Sequence, residues 1–224
     1  MANVRKRNEI TMGPQPRLVE TIKPGMAKRS SAELFVKECF KQHYGADIHH
    51  FMPLLMSLSD QQDKMMAVLG FCHADRDPLF LENYLNQPVE QVLASKIRMP
   101  VDRARLVEVG NLAVATAGGG RWLITALTAY LSNSGAEWAL FTIGPALINA
   151  FNRLGLELIE LGEAEPECLP DDEQLRWGRY YDQRPRVMAG NIAHGHKVLR
   201  SLCEQEQPML ELWQNAEQAG RQVA

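Results

Sequence analysis

Between Arg105 and Leu161 the chain alternates apolar runs with helical stretches. Arg105–Ala115 (RLVEVGNLAVA) reads as a long strand and Thr116–Gly120 (TAGGG) as a glycine-rich turn. Arg121–Asn133 reads as a helix with Gly135 past its end, and Trp138–Ile143 (WALFTI) as a strand. Ala146–Leu154 is a short helix stopped by Gly155, and Leu156–Leu161 is a further strand. A β-α-β-α-β order with nearly continuous apolar strands requires a sheet buried by helices. The expected fold is therefore α/β (α+β), with a central mixed β-sheet flanked by helices.

The flanks fit that plan. Arg17–Ile22 reads as a strand stopped by Pro24-Gly25, and Ser30 or Ser31 is a candidate cap for a helix running to Tyr44-Gly45. Pro53–Ser59 and Lys64–Cys72, separated by SDQQD, read as a hairpin. Pro78–Ile97 reads as one helix with a stripe of Leu81, Leu85, Val89, Val92 and Leu93. An acidic, Pro-rich connector (162–174) leads to WGRYYDQRPRVMAGNI (177–192), which reads as a strand and turn at the sheet edge or as part of a site. His194–Gly220 reads as a closing helix. Residues 1–16 are expected to be a flexible leader, 17–192 the folded domain and 193–224 a helical tail.

Composition excludes several classes. The 24 basic and 27 acidic residues do not favour a nucleic-acid binder. Four cysteines at long, irregular spacings form neither a disulfide framework nor a zinc ribbon, and read as reduced thiols of a cytoplasmic protein. The uncharged runs Trp122–Ala136 and Trp138–Asn152 reach 15 residues each. A spanning helix needs roughly 17–25 apolar residues, so no integral membrane segment is expected. His43, His49, His50 and Cys72-His73 lack metal-site spacing, and no metal is expected.

A strand that enters a Gly-rich turn and then a helix presents main-chain N–H groups and the positive end of the helix dipole, which together bind phosphate. Gly118, Gly119 and Gly120 allow close approach of a ligand, and Arg121 adds charge. The alternative is a plain tight turn. The spacing is neither G-x-G-x-x-G nor a P-loop. It resembles the pyrophosphate loop (Gln/Arg-x-x-Gly-x-Gly/Ala) of the GNAT-type acyl-CoA N-acyltransferases, matched by Ala115–Gly120 with Ala115 in the leading basic position. The strand GluValGlyAsnLeuAlaVal (108–114) resembles the acyl-homoserine-lactone synthase branch, with Asn111 where that branch has Arg. Over residues 40–192 the strings YGADIHHFMPLLMSL, PLFLENYL, VEVGNLA and WGRYYDQRPRVMAGNI resemble the bacterial thermostable hemolysin family.

That resemblance implies transfer of an acyl group from acyl-CoA or an acyl carrier protein to a small amine. It places the donor along Val114, Thr116, Gly118, Gly119, Gly120 and Arg121. Glu108, on a strand that reads as buried, is either a general base or one half of an ion pair with Arg105 or Arg121. Asn111 either polarises the thioester carbonyl or satisfies a strand bulge. The family's acid position falls on Phe151, which cannot donate a proton, leaving Tyr180 or Tyr181 as the acid. His50 is a candidate substrate contact, and Arg184 a candidate anion contact. Two other readings compete. One is a protein that lyses membranes directly, as the family name implies. The other is a degenerate GNAT-fold binding protein.

Overall fold

The computed structural model describes residue 16, residues 18–115 and residues 119–221. The strands are β1 (Leu18–Ile22), β2 (Leu54–Ser59), β3 (Met65–His73), β4 (Leu106–Val114), β5 (Trp138–Ile143), β6 (Leu158–Glu163) and β7 (Arg186–Asn191). The helices are α1 (Arg29–Tyr44), α2 (Val89–Ile97), α3 (Gly119–Leu131), α4 (Pro145–Arg153), α5 (Asp171–Arg176), α6 (Ile192–Cys203) and α7 (Gln207–Arg221). The strands form one mixed sheet in the order β1-β2-β3-β4-β5-β7-β6. Among the described strands, only the β4–β5 pair is parallel. This is the expected α+β sheet.

Helices cover both faces. On one face, Val107, Val109, Phe71 and Phe141 pack under α3, with α4, α6 and α7 around it. On the other, α1 covers the β1–β4 half through Ala32, Val36 and Phe40, against Ile22, Leu55, Val68 and Ala113. The β4–β6 half of that face is covered by α2 and a 3-10 turn at Phe80–Tyr84, through Leu81, Val89 and Leu93. Trp177 packs against both halves and marks the seam between them.

Several elements differ from the sequence reading. α1 begins at Arg29, and Lys28 rather than a serine occupies the N-cap. Arg29 ties that first turn down through Glu33 (2.6 Å) and the carbonyls of Met52 (2.8 Å) and Pro53 (3.0 Å). The expected 78–97 helix is broken in two. Pro88 supplies no N–H and sits at the N-cap of α2, while Leu85 is extended. β6 starts two residues later than expected, at Leu158. β7 is not an edge strand: it lies between β5 and β6, antiparallel to both. The closing helix is two helices, with a break at 204–206. α7 packs along α3, burying Met209, Leu212 and Trp213. The expected leader, residues 1–16, lies outside the described residues except for Pro16.

Candidate functional site

β4 and β5 pair only from Leu106–Trp138 to Val109–Phe141. Beyond that point β4 continues to Val114 against β3 alone, and β5 continues to Ile143 against β7 alone. The two strands therefore diverge, and the main-chain edge of β4 past Val109 faces a gap. A cleft of about 360 Å³ opens there, lined by residues 108–114 of β4 and by Thr142, Ile143 and Gly144 at the end of β5. It extends beneath α1 and the seam residue Trp177.

The bulge in β4 shapes this gap. Val68 faces Ala113 and Gly70 faces Gly110, so β4 carries one residue more than β3 between those pairs. An extra residue reverses the in-out alternation. Val107 and Val109 belong to the α3 face, and after the bulge Leu112 and Val114 do too, while Ala113 turns to the α1 face with Glu108. Asn111 takes the strained position, with φ 48°. Its side chain spans to the preceding segment. Oδ1 accepts the N–H of Met52 at 2.8 Å, and Nδ2 donates to the carbonyl of His50 at 3.2 Å. Gly70 permits this close approach, because a Cβ there would lie 2.6 Å from Met52 Cβ and 2.8 Å from Asn111 Oδ1. This geometry matches the bulge alternative for Asn111.

Glu108 points to the cleft face and is 3% exposed. It pairs with neither expected arginine. Arg105 pairs with Glu137, and Arg121 with Glu206 at 3.0 Å. Its carboxylate instead accepts the N–H of Phe80 at 2.7 Å and that of Leu81 at 3.0 Å. These are the first N–H groups of the 3-10 turn, and the buried carboxylate takes them where a longer helix was expected. Burial pushes the Glu108 pKa up to about 7, against the opposing pull of the Leu81 and Phe80 N–H groups and with a smaller upward push from the charge of Glu82. The turn itself is clamped by Arg103, whose guanidinium grips Glu82 at 2.6 and 2.8 Å and Glu90 at 2.8 Å.

Much of the remaining cleft wall is aromatic: Phe40, Tyr44, His50, Phe80, Tyr84, Trp177 and Tyr180 all line it. Tyr180 donates to the carbonyl of Thr142 at 2.8 Å. Tyr181 is not among the lining residues; its hydroxyl shares a 2.5 Å hydrogen bond with that of Tyr84, which is. Burial holds the hydroxyls of Tyr84 and Tyr180 far above the usual tyrosine pKa and lifts that of Tyr181 to about 12, so all three keep their protons at neutral pH. Thr142 Oγ1 and Trp177 Nε1 are buried without a hydrogen-bond partner.

Of the residues singled out from sequence, Glu108, Asn111, Val114 and His50 come together in the cleft. Gly119 and Gly120 open α3, and a Cβ on Gly120 would meet open space. Arg121 follows them, shared with Glu206. Thr116 and Gly118 lie outside the described residues. Arg184 is exposed, with φ 50°, and does not line the cleft. Phe151 is buried against Phe141, with ring centroids 5.2 Å apart. The aromatics Phe40, Tyr44, Phe80 and Tyr84 were not singled out. They come from two separate segments, α1 and the Phe80–Tyr84 turn, which only the tertiary fold brings to one surface. Arg103 gave no signal, because its partners Glu82 and Glu90 lie on other elements.

Comparisons with known proteins follow this geometry. The fold is similar to the acyl-homoserine lactone synthase LasI, with TM-score 0.56 and 12% identity over 82% of this chain and 94% of that one. It is similar to FeeM, an N-acyl amino acid synthase from uncultured soil microbes, with TM-score 0.56 and 13% identity over 84% and 95%. The CoA-dependent acyl-homoserine lactone synthase MesI matches with TM-score 0.52 and 12% identity over 83% and 94%. A comparison with curated protein sequences finds no match. The profile of the thermostable hemolysin family matches residues 22–196, most of the chain, and the chain belongs to that family.

Proposed function

We propose that this protein is an acyltransferase of the cytoplasm that moves an acyl group from acyl-CoA or an acyl carrier protein to a small amine. The observation that carries this reading is the divergence of β4 and β5 over a cleft with the buried carboxylate of Glu108 at its floor. An extended pantetheine arm can lie in such a gap and pair with the free strand edge. Two of the similar structures are, by name, an acyl-homoserine lactone synthase and an N-acyl amino acid synthase, and this chain shares their fold.

In this mechanism the pyrophosphate of a CoA donor sits at the N-terminus of α3, against the N–H groups of Gly119 and Gly120, with Arg121 beside them. The pantetheine arm runs past Val114. The main-chain N–H groups of residues 111–114 polarise the thioester carbonyl, since the Asn111 amide is held by the 50–52 segment. Removing one such donor typically costs about 3–4 kcal/mol of transition-state stabilisation. Glu108 takes one proton from the acceptor ammonium, and the neutral nitrogen then bonds the carbonyl carbon. The C–S bond breaks, and the second surplus proton of that nitrogen passes through the Tyr84–Tyr181 hydroxyl pair to the leaving thiolate, so that both tyrosines end protonated. His50 contacts the acceptor at the mouth, and Arg184 meets the donor's or carrier's anionic groups outside the cleft. The acyl tail extends past Leu112 toward a small apolar cavity of about 40 Å³ between Leu123, Phe141 and Phe151.

The family name favours a second reading, direct lysis of membranes. The apolar faces of α6 and α7, which carry Leu199, Leu212 and Trp213, are buried in the core. No helix among the described residues is long and apolar enough to cross a membrane.

Thermal unfolding of the full chain with CoA, short- and long-chain acyl-CoAs and an acylated carrier protein tests the donor site. A ligand at 100 times its Kd stabilises by about 2.7 kcal/mol, and each kcal/mol moves the midpoint of a chain this size by roughly 2–4 °C. A rise that grows with acyl length supports the reading. No rise with any donor, together with leakage from liposomes lacking donor, favours the lytic one.

A further inference from the structure

The walls of the cleft carry a charge preference. The rings of Phe80, Trp177, Tyr180 and Tyr44 follow one another along it, with centroids 5.9, 5.1 and 5.3 Å apart in turn. His50 stacks on Phe80 at 5.9 Å. Ring faces attract a cation, and more so where water is excluded. Beside Phe80 lies Glu108, the one carboxylate among the described residues that line the cleft. No described lysine or arginine lines it; His43 and His50, both exposed, are the lining groups able to gain positive charge. Arg103, the nearest guanidinium bonded to the Phe80–Tyr84 turn, is held by Glu82 and Glu90. A carboxylate brought into this space would meet Glu108 with like charge and find no described guanidinium to pair with.

We infer that the cleft selects, as its acceptor, a cationic primary amine on an apolar or aromatic body that bears no carboxylate of its own. The word acceptor rests on the acyl-transfer reading above; the ligand class rests on the cleft walls alone. An amino acid or other zwitterion is excluded by the same walls. The ammonium lies between the aromatic rings and Glu108, and the apolar body fills the space under Phe40 and Tyr44.

Calorimetric titration of the full chain, without donor, with three probes of one shape tests this. The probes are 2-phenylethylamine, 2-phenylethanol and phenylalanine. The amine is expected to bind at least about tenfold more tightly than either of the others, a difference of about 1.4 kcal/mol. Glu108→Gln is expected to bring the amine-to-alcohol affinity ratio down to near one. Should that variant fail to fold, Phe80→Leu keeps an apolar side chain, loses a ring and lowers the amine-to-alcohol ratio several-fold. Phenylalanine or the alcohol binding as tightly as the amine overturns the inference. Turnover is then read separately with acyl-CoA present. Selective amine binding without acylation removes the transferase reading and leaves the ligand class standing. Acylation of phenylalanine in preference to phenylethylamine keeps the transferase and overturns the class.

Discussion

The carboxylate of Glu108 accepts the main-chain N–H of Phe80 at 2.7 Å, which ties the floor of the cleft to the turn that forms one of its walls. A buried carboxylate held by two N–H groups has a fixed orientation, and burial raises the Glu108 pKa to about 7. Both properties suit proton transfer near neutral pH.

Acyl transfer is expected to rise with pH through about 7, because the base works only when deprotonated. Glu108→Gln lowers kcat by about 10²–10⁴-fold and abolishes that dependence. Folding stability carries the opposite sign. The folded pKa lies above the ordinary 4.5, so the stabilisation by the bound proton is full below about pH 4.5 and is lost as pH rises through about 7. Wild-type stability relative to Glu108→Gln therefore falls between pH 5 and 8, by up to about 3 kcal/mol. Parallel denaturant titrations of the two proteins across that range measure it.

Asn111 makes two hydrogen bonds from a left-handed backbone position. Asn111→Ala loses both bonds and strains φ, costing about 2–4 kcal/mol, whereas Asn111→Gly loses the bonds without the strain and costs about 1–2 kcal/mol. Urea unfolding of the two variants should show that order. Equal losses would mean that the side chain matters and the backbone position does not.

Leu112 lines both the cleft and the apolar cavity beneath α3. Leu112→Trp places a larger side chain at the wall the two spaces share. Short-chain donors are expected to be used as before, and long-chain donors to lose at least about tenfold in kcat/KM, or about 1.4 kcal/mol. A uniform loss across chain lengths would place the acyl tail elsewhere.

Gly220 of α7 lies against the main chain of α3, where an added Cβ would meet the carbonyl oxygen of Tyr130. Backbone cannot yield as a side chain does. Gly220→Ala is expected to lower stability by about 1–3 kcal/mol in thermal unfolding, with α7 exchanging its amide protons faster than β4.

The strand–turn–helix–strand order from 105 to 161 was legible because buried strands and helices carry different apolar periods, and Glu108 stood out as a charge on an apolar strand. The partners of Glu108 were not legible. Periodicity continues Leu81–Leu93 as one helical stripe, and nothing in it reveals that Glu108 recruits the N–H groups of Phe80 and Leu81. The bulge at Asn111 is only one alternative in the sequence, because register depends on β3, a distant segment. The two C-terminal helices read as one, since an apolar stripe tolerates the short break at 204–206. Tyr181 stood out by density in its segment, yet Tyr84 is the partner of the pair that lines the cleft.

The reaction proposed for the cleft is acyl transfer to an amine at Glu108. Mass spectrometry of a reaction holding the full chain, a long-chain acyl-CoA and 2-phenylethylamine tests it most directly, with Glu108→Gln run beside it. The wild type is expected to give an amide product and free CoA in equal amounts, and the variant at least about a hundredfold less of both. Equal amide formation by the two proteins, or thermal stabilisation by the donor with no amide from either, would contradict it.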